Sequence, residues 1–474
     1  MRKALQPHPE VQSTAVNRSP QQERSVFFLL SALLWLLLWS GYNTGIGLVL
    51  SPGFPANSLQ LVHGIRAFFP LLAAWVAVLT ILSSHGLKTR AVVGPLGLLT
   101  FFAAAGLISS SLISIHPIQA VYWCAMYESV AIVLMAVCSG PGALGLLSKL
   151  MKLNWAIDIG ILIGLLAAIP SFGGTALVPT QGSPLGVMAY NGSVGAYGEI
   201  LGMPSTRNTG LARYAGVAAI IGLARLFQRT RGWKKALWAG VLLLGLYSLV
   251  LAQGRTETLS FLAAAMVILI LRKQRRVVLI GFGILGFALL ALVGFFNGLW
   301  NFGTRNGSFD PTLTGRTSQW MAGVAATLHS PWIGLGFQAD RFYVGAQLEN
   351  AFFHALIQSG VLGAIAYVGA YALAWLLLIR LLISRQQNLV PDEVAGILAF
   401  FTVFSVTESI AYYSAAFMLV APVLAYIQVL AWQQKMASAR TPVARWKPAR
   451  LGTPAFGMQR TQAMKRSLFH GTDF

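Results

Sequence analysis

The chain has 474 residues, of which 56% are hydrophobic and only 10% are charged. An ordinary soluble domain carries about 25% charged residues, so this composition excludes a water-soluble fold. The net charge of +21 would suit nucleic-acid binding, but basic residues that lie between apolar segments indicate membrane topology instead. We therefore expect membrane lipid, and no nucleic acid, among the partners of the chain.

Stretches of almost uncharged residues recur along the whole sequence. About 20 such residues are enough for a helix to cross the hydrocarbon core of a membrane. We predict an all-α fold, a polytopic transmembrane helix bundle of about twelve spans. The predicted spans are residues 26–50, 61–83, 91–114, 118–139, 152–170, 210–227, 235–252, 256–271, 277–296, 361–383, 394–411 and 414–432.

These spans divide the sequence into five segments. Residues 1–25 form an N-terminal tail, and residues 26–296 contain the first nine predicted spans. Residues 297–360 form a long loop, residues 361–432 contain the last three spans, and residues 433–474 form a basic tail. Because long ordered loops in membrane proteins usually carry function, we expect the candidate catalytic residues in the loop 297–360.

Lys and Arg residues are concentrated in alternate loops. With a cytoplasmic N-terminus, the loops that contain Arg229 to Lys235 and Arg272 to Arg276 also lie in the cytoplasm, as the positive-inside rule requires. The first span follows a basic stretch and has no obvious small-residue cleavage site, which favours a retained anchor. We therefore predict that both termini are cytoplasmic and that the loop 297–360 is extracytoplasmic.

The basic residues on the opposite side are all Arg. The planar Arg fork binds phosphate oxygens bidentately, whereas Lys is a point charge, so the pattern suits a diphosphate or another anion. Each of these residues taken singly also fits an interfacial anchor. The residues are Arg66, Arg207, Arg213, Arg255, Arg305, Arg316 and Arg341.

The long loop contains two predicted short helices. Apolar residues at helical spacing between Trp320 and Leu328, before Ser330-Pro331, predict an amphipathic helix on the outer membrane surface. A second helix is expected to start near Glu349 and to end at Gly360. Along it a polar stripe of Asn350, His354 and Gln358 must face water, a cavity or polar partners.

Carboxylates inside apolar spans are functional candidates, because burying a charge in a membrane is costly. Glu128 and Asp158 lie within predicted spans, and Glu408 lies near the outer end of one. For Asp158 a structural contact is the better interpretation. Glu128 lies deeper and is compatible with support of a site or with a proton path.

Four stretches in the second half of the chain resemble the O-antigen ligase and O-antigen polymerase family of bacterial membrane glycosyltransferases. The resemblance is best over about residues 200–430, and it depends on the order and the shared outer location of the stretches. They are Arg207-Asn208-Thr209-Gly210-Leu211, Gln253-Gly254-Arg255-Thr256, Gly315 to Trp320 with Pro331 to Gly336, and Glu349-Asn350 nine residues before Gly360-xx-Gly363.

The resemblance implies a bacterial inner-membrane enzyme. Its donor would be a glycan linked to undecaprenyl diphosphate, its acceptor a glycan or glycolipid hydroxyl outside the cytoplasm, and it would need no cofactor and no metal. It also implies that Arg207, Arg255 and Arg316 hold the diphosphate. The ligase pattern has His before Asn, and Glu349 occupies that position here.

A base must take the proton of the acceptor hydroxyl, and Glu349 or His354 could do so. We place Glu349 first because it stands at the motif position before Asn350. Supporting roles are expected for Arg213, Asn350, Gln358 and Glu128. Polymerisation of a surface polysaccharide, either O-antigen or exopolysaccharide, is slightly favoured, since the ligase-type His is absent. The alternatives are an O-antigen ligase that attaches glycan to lipid A-core and a lipid-linked sugar flippase or other transporter.

Overall fold

The structure is a computed structural model, and the description below covers part of the chain. It describes residues 20–42, 46–55, 58–171, 178–179, 188–189, 208–228, 232–252, 254–272, 304–305, 308–309, 316–384 and 390–440. The chain divides into two units, Met1–Trp432 and Gln433–Phe474. Of the second unit only residues 433–440 are described, and they are helical. The site described below lies entirely within the first unit.

The described residues are almost entirely helical, which confirms the all-α prediction. Two π-helical turns, Ile81–His85 and Asp340–Val344, accompany the α-helices. The α-helices are α1 Pro20–Ser40, α2 Ile46–Val49, α3 Ser58–Arg66, α4 Phe69–Thr80, α5 Thr89–Val92, α6 Pro95–Leu112, α7 Pro117–Ser139, α8 Ala143–Ser171, α9 Asn208–Leu226, α10 Gly232–Ala252, α11 Arg255–Leu271, α12 Arg316–Thr327, α13 Ala351–Ile383, α14 Asp392–Thr407 and α15 Ala415–Arg440.

The β-strands in the described part of the chain are two antiparallel pairs of two-residue strands. β1 (Val178–Pro179) pairs with β2 (Met188–Ala189), and Val178 lies opposite Ala189. β3 (Thr304–Arg305) pairs with β4 (Ser308–Phe309), and Thr304 lies opposite Phe309.

Seven helices within the described ranges are long and apolar enough to cross a membrane, and two shorter apolar helices accompany them. The chain is therefore a multi-pass membrane protein. The predicted span 277–296 lies outside the described residues, so the number of twelve spans stays a prediction. The seven are Gln60–Ser83, Pro95–Leu112, Pro117–Ser139, Ala143–Ala167, Gly232–Ala252, Ala351–Ile383 and Ala415–Ser438.

Several helix boundaries differ from the predicted spans, and glycines mark two points along these helices. The predicted span 26–50 is shorter in the structure, since α1 ends at Ser40. Gly41 follows, and a Cβ atom there would lie 2.4 Å from the Pro70 ring, so the chain turns where only glycine fits. The expected short helix near Glu349 and the predicted span 361–383 are confirmed as two helical segments of α13, separated by a non-helical kink at Gly360 as predicted.

Small residues let neighbouring helices approach closely. α9 and α10 make one of the most extensive contacts in the bundle. A Cβ atom on Gly245 of α10 would lie 2.7 Å from the backbone of both Ala215 and Ala219 of α9. Helices in membranes associate through such close backbone packing, because lipid offers no hydrophobic penalty for separated apolar faces.

α11 packs extensively against α14. Thr256, in the first turn of α11, contacts Thr407, the last residue of α14, with 2.8 Å between the hydroxyl oxygens. At the other ends of the two helices, Nε of Arg272 donates to Asp392 at 2.5 Å. The pair is therefore antiparallel, and each end carries its own group of polar side chains. We call the end with Thr256 and Thr407 the site end.

Candidate active site

The loop between α12 and α13 is packed onto the helices by a small apolar core, separate from the main core of the helix bundle. It contains Leu335, Ala339, Leu348 and Ile357, all buried. Trp320 of α12 contacts Phe353 of α13 with 5.5 Å between ring centroids. The structure thus confirms the helix predicted from the apolar spacing between Trp320 and Leu328, as α12. Met321 on this helix and Leu328 just after it are 72% and 73% exposed, which leaves the expected membrane-surface position a prediction.

The segment 331–336 packs against a kink in α13. Gly360 has φ 62° and ψ −167°, a conformation that is almost restricted to glycine. The N–H groups of Leu335 and Gly336 donate to the carbonyls of Ile357 and Gln358, at 2.8 and 3.0 Å. A Cβ atom on Gly360 would lie 2.3 Å from the carbonyl carbon of Trp332. The two backbones therefore touch, which fixes the loop against the first turns of α13.

Asn350 fixes the start of α13. Its Oδ1 accepts the N–H of Phe353 at 3.0 Å, which is an N-cap hydrogen bond, and its Nδ2 donates to the carbonyl of Val406 at 2.6 Å. One side chain thereby ties the helix start to the end of α14. Glu349 precedes this cap and lies outside the helix.

Arg316 is the centre of the first polar group, and each of its nitrogens lies close to the oxygen of a different residue. Nε lies 2.5 Å from Oε2 of Glu349, and Nη1 donates to the carbonyl of Thr407 at 2.9 Å. Nη2 lies 3.4 Å from Oε1 of Glu408. The side chains of Arg316, Glu349 and Glu408 are 20%, 33% and 10% exposed, so the group opens toward the surface on the Glu349 side.

Two further charges lie behind Arg316. Glu257 of α11 is 1% exposed and interacts electrostatically with Glu408, Arg213 and Arg316. Arg213 of α9 is 8% exposed, with its guanidinium carbon 4.9 Å from the centre of the Phe404 ring. Two arginines and three carboxylates therefore converge at the site end, a mixed-charge group that burial alone would disfavour.

His354 is the centre of a second, fully buried group. Its Nδ1 contacts the Ser409 hydroxyl, its Nε2 lies 3.4 Å from Oδ1 of Asp340, and its ring lies 5.6 Å from that of Tyr412. The amide of Gln358 adjoins the same Nε2 at 2.6 Å. The predicted polar stripe thus faces polar partners, as required. At 2% exposure, His354 does not reach the surface in this arrangement.

Asp340 is held in its ionised form by its neighbours. Burial favours the neutral acid, but the His354 imidazole and the N–H of Leu348 favour the carboxylate more, so the pKa of Asp340 lies below its ordinary value. Its Oδ2 accepts that N–H at 2.9 Å. Asp340 therefore connects the loop to the imidazole of α13.

The other predicted site residues lie away from the groups around Arg316 and His354, or they are not described in full. Arg207 lies outside it, and for Arg255, the first residue of α11, only the backbone is described. Glu128 lies on α7 with Thr100 as its polar neighbour, separate from both polar groups. Arg66 donates to the Ser40 carbonyl at 2.8 Å, and Arg341 donates to Gln347 at 3.3 Å.

Comparison with known proteins bears on this arrangement. Residues 239–368 match the family model described as O-antigen ligase, and this range contains Arg316, Glu349 and His354. The Exopolysaccharide production protein ExoQ of Rhizobium meliloti (strain 1021) is 25% identical over 247 residues, which cover 45% of this chain and 54% of that protein. Over these ranges the chain is similar to proteins of the O-antigen ligase/polymerase family.

The family match confirms the resemblance over residues 239–368, which contain three of the four stretches; Arg207 to Leu211 lies before them. The chain spans about half the length of the curated relative that it matches. No solved structure matches the chain. Arg213, Glu257 and Glu408 complete the group around Arg316, although Arg213 and Glu408 lie outside the family match.

Sequence reasoning missed three members of the polar groups. Glu257 stands two residues after Arg255, and an acid in the first turn of an apolar span was an available signal. Asp340 and Ser409 had no such signal. Each meets His354 only because the chain returns to α13, and no spacing in the sequence encodes that contact.

Proposed function

We propose that this protein is a membrane glycosyltransferase of surface polysaccharide synthesis. It passes glycan from an undecaprenyl-diphosphate-linked donor to an acceptor sugar hydroxyl on the extracytoplasmic face of the bacterial inner membrane. The family match and the relative named for exopolysaccharide production support the class. The single observation that carries the proposal is Arg316, which is 20% exposed and pairs with the more exposed Glu349 at the open side of the group.

The arginines bind the diphosphate of the donor. A guanidinium fork matches phosphate oxygens, and charge stabilisation by preorganised arginines is strong in a site with little water. Arg316 and the buried Arg213 supply positive charge from the described part of the site. Arg207 and Arg255 join them in the proposal through the family motif.

The chemical step needs a base and a leaving group. Glu349 takes the proton of the acceptor hydroxyl, and the oxygen attacks the anomeric carbon of the donor sugar. The bond from that carbon to the phosphate oxygen breaks, and its electron pair leaves with the diphosphate. Glu349 is preferred to His354 because its side chain is 33% exposed, whereas His354 is buried among Asp340, Ser409 and Gln358. His354 acts as a positioning residue.

Polymerisation is preferred to ligation. Glu349 stands where the ligase pattern has His, and the relative is named for exopolysaccharide production. Attachment to lipid A-core is the second candidate within the same chemistry. A transporter would need a path across the bundle for a lipid-linked sugar, whereas the charged residues of the described site cluster at one end of α11 and α14.

The orientation in the membrane is tested by labelling. A cysteine introduced at Ser308 should react with an impermeant reagent in intact spheroplasts, and a cysteine at Gln274 should not. The two native cysteines, Cys124 and Cys138, are buried and should give little background. Labelling at Gln274 without labelling at Ser308 would reverse the proposed orientation.

The activity is tested with purified protein in liposomes that contain the undecaprenyl-diphosphate-linked glycan and an acceptor. We expect longer glycan and one released undecaprenyl diphosphate per transfer, without added nucleotide sugar. Movement of the intact donor across the bilayer without consumption would identify a transporter instead. Transfer to lipid A-core alone would identify a ligase.

A further inference from the structure

Three oxygen-bearing groups surround Arg316, and the surrounding structure does not fix them equally firmly. Thr407 contributes a backbone carbonyl at the end of α14, and Glu408, the next residue, is 10% exposed. The same segment is fixed by Asn350, which donates to the Val406 carbonyl at 2.6 Å. These two acceptors belong to one anchored strip of backbone.

Glu349 is the exception. Its side chain is 33% exposed, it precedes the capped start of α13, and it contacts Arg316 through Nε alone at 2.5 Å. An ion pair that water can reach contributes less free energy than a buried one, because water competes for its partners. Glu349 is therefore the partner of Arg316 that an incoming anion can replace most readily.

We propose that Glu349 is a resident counterion which the donor diphosphate displaces from Arg316, so that donor binding itself frees the base. This inference rests on the proposed function and adds an order of events to it. A carboxylate oxygen at a guanidinium nitrogen occupies the place that a phosphate oxygen would take. A diphosphate carries more charge than one carboxylate and offers several oxygens, so it should win the competition.

The displacement gives Glu349 two states with different chemistry. Paired with Arg316, its Oε2 is occupied by the guanidinium 2.5 Å away and is not free to contact the acceptor hydroxyl. Once Glu349 is displaced, both of its carboxylate oxygens are free to do so. The acceptor hydroxyl would thus meet a competent base only when the donor is bound.

The test uses the purified full-length protein in nanodiscs. Calorimetry measures the affinity with which it binds farnesyl diphosphate. Glu349→Gln should bind the probe about two- to fivefold tighter than the parent, the range that a solvent-accessible ion pair contributes. Arg316→Lys should bind at least about tenfold more weakly. Glu393→Gln, which removes a carboxylate 2.8 Å from Arg225 at the opposite end, is the matched control and should leave binding unchanged.

The outcomes separate the inference from the proposed function. Unchanged or weaker binding by Glu349→Gln, with the expected loss in Arg316→Lys, would overturn the displacement alone. Unchanged binding by Arg316→Lys would remove the diphosphate site itself. If the Gln variant unfolds, Glu349→Asp replaces it in the test. Its shorter side chain should weaken the contact with Arg316 and so also tighten binding of the probe. Unfolding of both variants would contradict a displaceable pair.

Discussion

Arginine–carboxylate pairs lie at both ends of the packed helices α11 and α14, but their surroundings differ. At the opposite end, Arg272 pairs with Asp392 and Arg225 pairs with Glu393. Both acids stand in the first turn of α14, with side chains 8% and 3% exposed. There each buried acid has its own arginine, and the pairs join helix ends.

At the site end one arginine serves several acceptors. Arg316 contacts Glu349, Glu408 and a carbonyl, and Glu349 is 33% exposed on a turn outside any helix. The comparison teaches that residue type does not decide the role of such a pair. Exposure and the anchoring of the carboxylate distinguish a structural pair from an exchangeable one.

The largest expected effect is on transfer activity, and it should distinguish the arginines at the two ends of α11 and α14. Arg316→Lys keeps the charge but loses the fork, so we expect transfer to fall by about 100-fold or more. Arg272→Lys makes the same change at the opposite end and should leave transfer close to that of the parent. Membrane levels of both variants are measured in the same samples. Equal activity of parent and Arg316→Lys would assign Arg316 to anchoring.

The next effect concerns the backbone that holds the site end. Gly360→Ala should destabilise the protein by on the order of 3 kcal/mol, because its φ of 62° and the contact with Trp332 exclude a side chain. Gly369→Ala, in the same helix, meets only Leu98 at 3.6 Å and should be neutral or slightly stabilising. Thermal unfolding in detergent compares them, and equal midpoints would show that the kink is not required.

A smaller effect is expected at the buried group around His354. Asp340→Asn removes the charge that Leu348 and His354 contact and should lower stability by roughly 1–3 kcal/mol at neutral pH. Arg341→Gln, an exposed neighbour, should change it by less than about 0.5 kcal/mol.

The effect of Asp340→Asn should depend on pH with a definite sign. Because folding lowers the pKa of Asp340, its stabilisation is full above the ordinary Asp value of about 3.9 and is lost as pH falls below it. Unfolding midpoints of parent and variant should therefore converge in acid. A difference that grows as pH falls would contradict an ionised Asp340.

Much of the fold followed from sequence periodicity. Apolar spacing predicted α12, the polar stripe that begins beside Glu349 marked the start of α13, and Gly360 marked its kink. The end of α14 could not be predicted, since the apolar pattern continues to residue 411. The helix ends at Thr407 because Glu408 adopts extended backbone, with φ −137° and ψ 149°.

The candidate site was predictable only in part. Arg316, Glu349 and His354 were found from motif and helical spacing, and the structure brings Arg316 and Glu349 into contact. Their division into an exposed group and a buried group was not predictable. It depends on the return of the loop through Asp340 and on the arrival of Glu408 and Ser409 from a distant segment.

The assignment of Glu349 as the base is tested most directly by steady-state transfer with purified Glu349→Gln and His354→Gln proteins. Both are supplied with the same undecaprenyl-diphosphate-linked donor and with varied acceptor over a range of pH. The account predicts that Glu349→Gln nearly abolishes turnover, because no other exposed carboxylate among the described residues contacts Arg316. His354→Gln should keep turnover with a higher KM for acceptor. Turnover that survives in Glu349→Gln but disappears in His354→Gln would contradict it.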